Sequence, residues 1–211
     1  MEAMGVLGSY KGYAIHDYLA SYYRFEGLLH GLCNAHHLRD LTSVHEDHGQ
    51  AWAADMIGLL LEAKKLKERE RAGGRRVGAG TLERLQHRYF EVLEAGYAIN
   101  PEPERRPGQR GRLKRGKPLN LLDRFRDRSE EVMAFLIHDM PFDNNQAERD
   151  LRMMKTKQKI SGCFRNLTHA KAFADLRSVI STAKKRSVNV IEIIQITLSD
   201  PQEAQSLLLG T

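Results

Sequence analysis

Asp143-Asn144-Asn145-Gln146-Ala147-Glu148-Arg149, continued by Asp150-Leu151-Arg152-Met153-Met154-Lys155, sets an acid at the head of an amphipathic helix and a row of cations behind it. At 3.6 residues per turn, Glu148, Arg152, Lys155 and Lys159 share one narrow arc. Ala147, Leu151 and Met154 fall on a neighbouring arc that can face a core. An acid able to hold a metal, followed by cations able to track phosphates, points to chemistry on nucleic acid. A plainer reading stands beside it. Asn145-x-x-Glu148 matches a capping box, Glu148 and Arg152 are spaced for an i,i+4 pair, and the helix dipole favours an acid at this end.

Working outward, the segments before this helix change character three times. Gly12 to His16 reads as a short strand with Asp17 at its C-terminal end, and Leu28 to Cys33 as a second strand. Asp17 has two readings: a carboxylate where α/β sheets place their sites, or an N-cap for a helix starting at Tyr18. Asn34 is placed to cap a helix from Ala35. Strand, helix, strand, helix favours a parallel pairing. From residue 50, Trp52, Met56, Leu59, Leu60 and Ala63 mark a helix to about Arg71. A glycine-rich break leads to a second helix through Leu82, Leu85, Tyr89 and Leu93, which makes an antiparallel hairpin.

Residues 101–118 are different material. Four prolines prevent regular helix, and Arg105 to Lys117 holds seven Lys or Arg and no acid. This basic loop reads either as a phosphate-contacting arm or as a solvated linker. One helix is expected over 119–138, another from Asn145 to about Ile160, and a third, capped by Thr168, to Arg186. Residues 189–198 read as helix, although their β-branched run also suits a strand. Residues 200–211 read as a tail.

The 211 residues are 41% apolar and 28% charged, with a formal net charge of +6. That balance fits a globular chain with an anionic partner, nucleic acid being the usual one. Two cysteines make no disulfide framework, and no run is long and apolar enough to span a membrane. The start carries no signal peptide, so the cytosol, on the nucleoid, is the expected place. His30-x-x-Cys33-x-x-His36 carries zinc-ligand types, but the spacing is not that of a standard finger.

Gly12-Tyr13-Ala14-Ile15-His16-Asp17, then Cys33-Asn34-Ala35-His36-His37-Leu38-Arg39-Asp40-Leu41, then Asp143 to Arg149, form an ordered series. Lys159-Ile160-Ser161-Gly162-Cys163-Phe164-Arg165 and Ser181-Thr182-Ala183-Lys184 extend it. Together they resemble the insertion sequence 66 family of transposases, DDE-type enzymes with a ribonuclease H-like core, over nearly all of the chain. The resemblance implies that Asp17 and Glu148 are the second and third acids of the triad, catalytic and metal-holding, with Mg²⁺ or Mn²⁺ as cofactor. Arg149, Arg152, Lys155, Lys159 and Arg165 would contact DNA. It further implies metal-dependent cleavage and strand transfer at transposon ends.

The expected fold is α/β and predominantly helical: an incomplete ribonuclease H-like core with a large α-helical insertion. Residues 1–49 would be a partial core, 50–140 the insertion, 141–199 the return to the core. Sixteen residues precede Asp17, with Glu2 the one acid among them, so three strands of ordinary length do not fit there. The expectation is therefore a C-terminal portion, truncated at the N-terminus, lacking the first acid and inactive alone. Expected partners are transposon-end DNA, a second copy or a full-length transposase, and no membrane. The alternative is a non-catalytic nucleic-acid-binding or inhibitory module.

Overall fold

A computed structural model describes residues 10–104, 111, 113 and 115–209. They are predominantly helical, with one small sheet. The chain divides into two compact units, residues 1–144 and 145–211.

In the first unit β1 (Gly12–His16) and β2 (Leu28–Leu32) pair in parallel, from Gly12 opposite Leu28 to His16 opposite Leu32. The connection is a short 3₁₀ helix, Ala20–Arg24, in place of the α-helix expected from Tyr18. Asp17 therefore caps nothing there; Leu19 occupies the cap position. Among the described residues the sheet holds these two strands. Gly31 lets β2 lie close on its neighbour: a Cβ there would sit 2.7 Å from Met140 Cε and 3.6 Å from Ala134 Cβ.

Among the described residues, five α-helices follow in this unit: α1 (Asn34–His48), α2 (Ala51–Ala72), α3 (Ala79–Ile99), α4 (Lys117–Asp127) and α5 (Ser129–Ile137). Gly49, at φ 63°, ends α1 in the left-handed region, where the missing Cβ removes the steric cost. In α2, Trp52, Met56, Leu59, Leu60 and Ala63 are buried, and in α3 Leu85, Tyr89 and Leu93 face them across the hairpin. Gly96 carries the closest approach. A Cβ there would lie 2.5 Å from Leu122 Cδ2 and 3.1 Å from the Trp52 ring. Tyr89 satisfies its buried hydroxyl by donating to the Phe125 carbonyl at 2.8 Å.

The helix expected over 119–138 is two helices, broken at Arg128 (φ −123°). The reason lies in the two patterns. α4 buries one stripe, Leu121, Leu122 and Phe125, whereas α5 buries Val132 to Leu136 consecutively. A helix apolar all round needs neighbours on every side, so the chain turns before it. Ser129-Glu130-Glu131 restarts the helix with acids in its first turn, as the helix dipole favours.

The second unit contains α6 (Asn145–Ser161), α7 (Leu167–Lys185), α8 (Val190–Ser199) and α9 (Pro201–Leu209). Its core gathers Ala183, Ile193, Ala204 and Leu208. The β-branched run is helix because Asn189 caps it, accepting from the Ile191 and Glu192 amides at 2.9 and 3.4 Å. Asn166, rather than Thr168, caps α7, accepting from the His169 amide at 2.8 Å. The expected tail is helical as α9, because Asp200 accepts from the Gln202 and Glu203 amides and Pro201 takes the first position, where its missing N–H costs nothing.

Candidate functional site

Asp17 follows β1 directly and is exposed. Its carbonyl accepts from the Leu19 amide at 2.8 Å and from Nδ1 of His16. His16 is 1% exposed and stacks on Tyr22 at 4.4 Å between ring centres. Burial lowers the His16 pKa, opposed by the hydrogen bond to Asp17. A neutral ring that donates from Nδ1 must accept at Nε2, and His30 Nδ1 lies there at 2.9 Å. Tyr23, in the same 3₁₀ helix, donates to Glu131 of α5 at 2.6 Å, and Arg128 lies over its ring. The backbone at Asp17 is thus held from both sides while its carboxylate stays in solvent.

Cys33 and Asn34 tie the end of this unit back to β2. The Cys33 amide donates to the His16 carbonyl at 2.9 Å and the Asn34 amide to the Phe142 carbonyl at 3.1 Å. The Asn144 amide points at Cys33 Sγ, 3.4 Å away. Asn34 does not cap α1 through its side chain; it is the first helical residue, and its side-chain Nδ2 donates instead to the Val132 carbonyl at 3.0 Å. Its oxygen meets His37 Nδ1 at 3.2 Å. The Asn34–His37 pair is fully buried, and sequence reasoning passed over it because nothing in the local pattern marks these positions as core. His30, engaged by His16, does not join Cys33 and His36 in a three-ligand group.

In the second unit, Glu148 lies in the first turn of α6 and is half-buried. Arg149, Arg152, Lys155 and Lys159 of α6 and Arg165 of the following turn are exposed. Arg149 donates to Gln146 at 3.0 Å. Asp150 lies about half a turn of helix from Glu148 and faces α7, accepting from Ser181 at 2.5 Å and Lys185 at 2.6 Å. The Lys185 hydrogen bond, then that from Ser181, lowers the Asp150 pKa. The stripe of cations is thereby turned away from α7. The apolar arc does not enter a core: Leu151 is 59% exposed, and α6 has no buried residue. Leu151 and Met154 instead line a shallow groove with Ala174 and Arg177 of α7. The apolar residues of α7 that reach the core, Val179 and Ala183, pack with α8 and α9.

Most cations of the basic loop, at 105, 106, 110, 112 and 114, lie outside the described residues. Arg115 pairs with Asp123 at 2.6 Å and with Glu102. Lys117 donates to Ser43 at 2.7 Å.

Residues 2–172 match the pattern of the family described as Transposase IS66 family. The chain belongs to the IS66 transposase family. The family's name implies a role related to transposition, with DNA as a partner and a divalent metal in use. Comparison with curated proteins and with solved structures finds no match. No helix among the described residues is long and apolar enough to cross a membrane.

Proposed function

We propose that this IS66 family chain supplies part of a DDE catalytic core, ribonuclease H-like, for cleavage and strand transfer at transposon ends. The observation that carries the reading is the family match over residues 2–172, within which Asp17 directly follows a parallel strand and Glu148 opens a helix. In this reading residues 1–49 and 141–199 belong to the core and 50–140 are the helical insertion. Asp17 and Glu148 are hard oxygen donors, the ligand type that Mg²⁺ and Mn²⁺ take. The bound ions supply water activation and stabilisation of the leaving oxygen. His16 and the 3₁₀ turn hold the Asp17 backbone in place. Arg149, Arg152, Lys155, Lys159 and Arg165 hold the DNA backbone.

Titration with Mn²⁺ should show weak binding that Asp17→Asn and Glu148→Gln each abolish. Mn²⁺ binding indifferent to both substitutions sinks the site assignment. Cleavage of labelled transposon-end DNA that survives both substitutions also sinks it.

A non-catalytic DNA-binding or inhibitory role is the second reading, and the exposed α6 cations favour it. Added to an active relative, the chain should then reduce cleavage in proportion to its own DNA binding. Absence of any gel shift at low salt defeats it.

A further inference from the structure

The α2–α3 hairpin carries neither of the two carboxylates nor any of the α6 cations of the proposed catalytic site. From Lys64 to Arg88 it carries nine Lys or Arg against three Glu. Several of these cations are neutralised within the fold. Lys64 pairs with Glu68, Lys67 with Asp139 and Arg75 with Glu70.

Others are not. Lys65 and Arg69 of α2 and Arg84 and Arg88 of α3 line one groove of about 380 Å³, floored by Leu66 and Leu85. One acid, Glu62, enters it, and Arg88 takes both of its oxygens at 2.9 Å. Arg84 donates to the Thr81 hydroxyl at 3.3 Å. Among the described residues, the side chains of Lys65 and Arg69 form no hydrogen bond or ion pair. On each wall the two cations stand one helical turn apart, about 6 Å along the axis. Helices ordinarily place opposite charges at that spacing, and like charges there repel. Lys65 and Arg69 repel in this way within α2, and Arg84 adds its charge across the groove, where Arg88 is already paired with Glu62. A polyanion lying along the groove relieves both.

We propose that this groove is a second DNA-backbone contact, in which Lys65, Arg69 and Arg84 neutralise phosphates while the Arg88–Glu62 pair braces the two helices. Such contacts position a duplex without reading its sequence. The proposal takes DNA as ligand from the transposase reading but uses neither Asp17 nor Glu148.

Fluorescence anisotropy of the full chain with a labelled duplex of arbitrary sequence, over a KCl series, tests it. The combined variant Lys65→Ala, Arg69→Ala, Arg84→Ala should bind at least roughly tenfold more weakly, and its slope of log affinity against log salt should shrink by about 2.7. Three exposed cations elsewhere, replaced as Arg24→Ala, Arg39→Ala, Lys171→Ala, control for net charge and should leave affinity nearly unchanged. The single reversal Lys65→Glu, at an exposed helical position, should weaken binding in the same direction and guards against a misfolded triple variant. An unchanged slope in the groove variant, or an equal loss in the control, overturns the groove. Absence of all binding by the unsubstituted chain overturns the groove and the DNA reading together, whereas loss of metal binding or cleavage leaves the groove standing.

Discussion

Lys185 of α7 donates to Asp150 of α6 at 2.6 Å, two residues beyond Glu148 in sequence. Together with the Ser181 bond at 2.5 Å, it ties these two helices to each other. α6 has no buried side chain to hold it otherwise. Asp150→Asn should cost about 0.5–1 kcal/mol, since Lys185 is half exposed and such pairs are screened. The α6 amides should exchange with deuterium faster while those of α8 and α9 keep their rates. Equal acceleration in all four helices would mean that the tie does not hold α6 in particular.

Gly96 presents two opposing effects. Alanine is the better helix former by about 1 kcal/mol. Its Cβ, however, would stand 2.5 Å from Leu122 and 3.1 Å from Trp52, and overpacking of this kind costs about 1–3 kcal/mol. Packing should win, so Gly96→Ala should lower the urea midpoint of the first unit. A raised midpoint would show that Leu122 yields freely.

Burial, then the charges of Arg124 and His36, push the His37 pKa down to about 3. Unfolded, the ring titrates near 6.5. Between those values the unfolded chain takes up a proton that the folded chain refuses, so stability rises with pH across this window. His37 costs nothing above about pH 6.5 and costs progressively more down to pH 3, up to roughly 5 kcal/mol. Denaturation at several pH values should therefore show a shallower decline for His37→Gln than for the unsubstituted chain. Parallel declines would mean that His37 is not the group responsible.

The α6 cations make a separate prediction. Arg152→Ala, Lys155→Ala and Lys159→Ala together should weaken binding to any duplex and reduce the salt slope by about 2.7, or 0.9 per phosphate contact. Binding that keeps its full slope would place the phosphates elsewhere on the chain.

Local chemistry made much of this protein legible from its sequence. The parallel strands, the glycine-broken hairpin of Trp52 to Leu93 and the exposed cation arc behind Glu148 follow from period, breakers and charge, which act over a few residues. The ordered motifs around Asp17, Cys33 and Glu148 identified the family. Other features depended on residues far apart in sequence. The break at Arg128 exists because α5 must be surrounded while α4 need not be. Asn34 bonds Val132 rather than capping its own helix because α5 brings a carbonyl to it, 98 residues on. The Leu151 arc stays exposed because the buried residues of α7 pack with α8 and α9. Periodicity states which residues share a face. Only the packed structure decides whether another element covers that face, because burial free energy depends on the neighbour that excludes water.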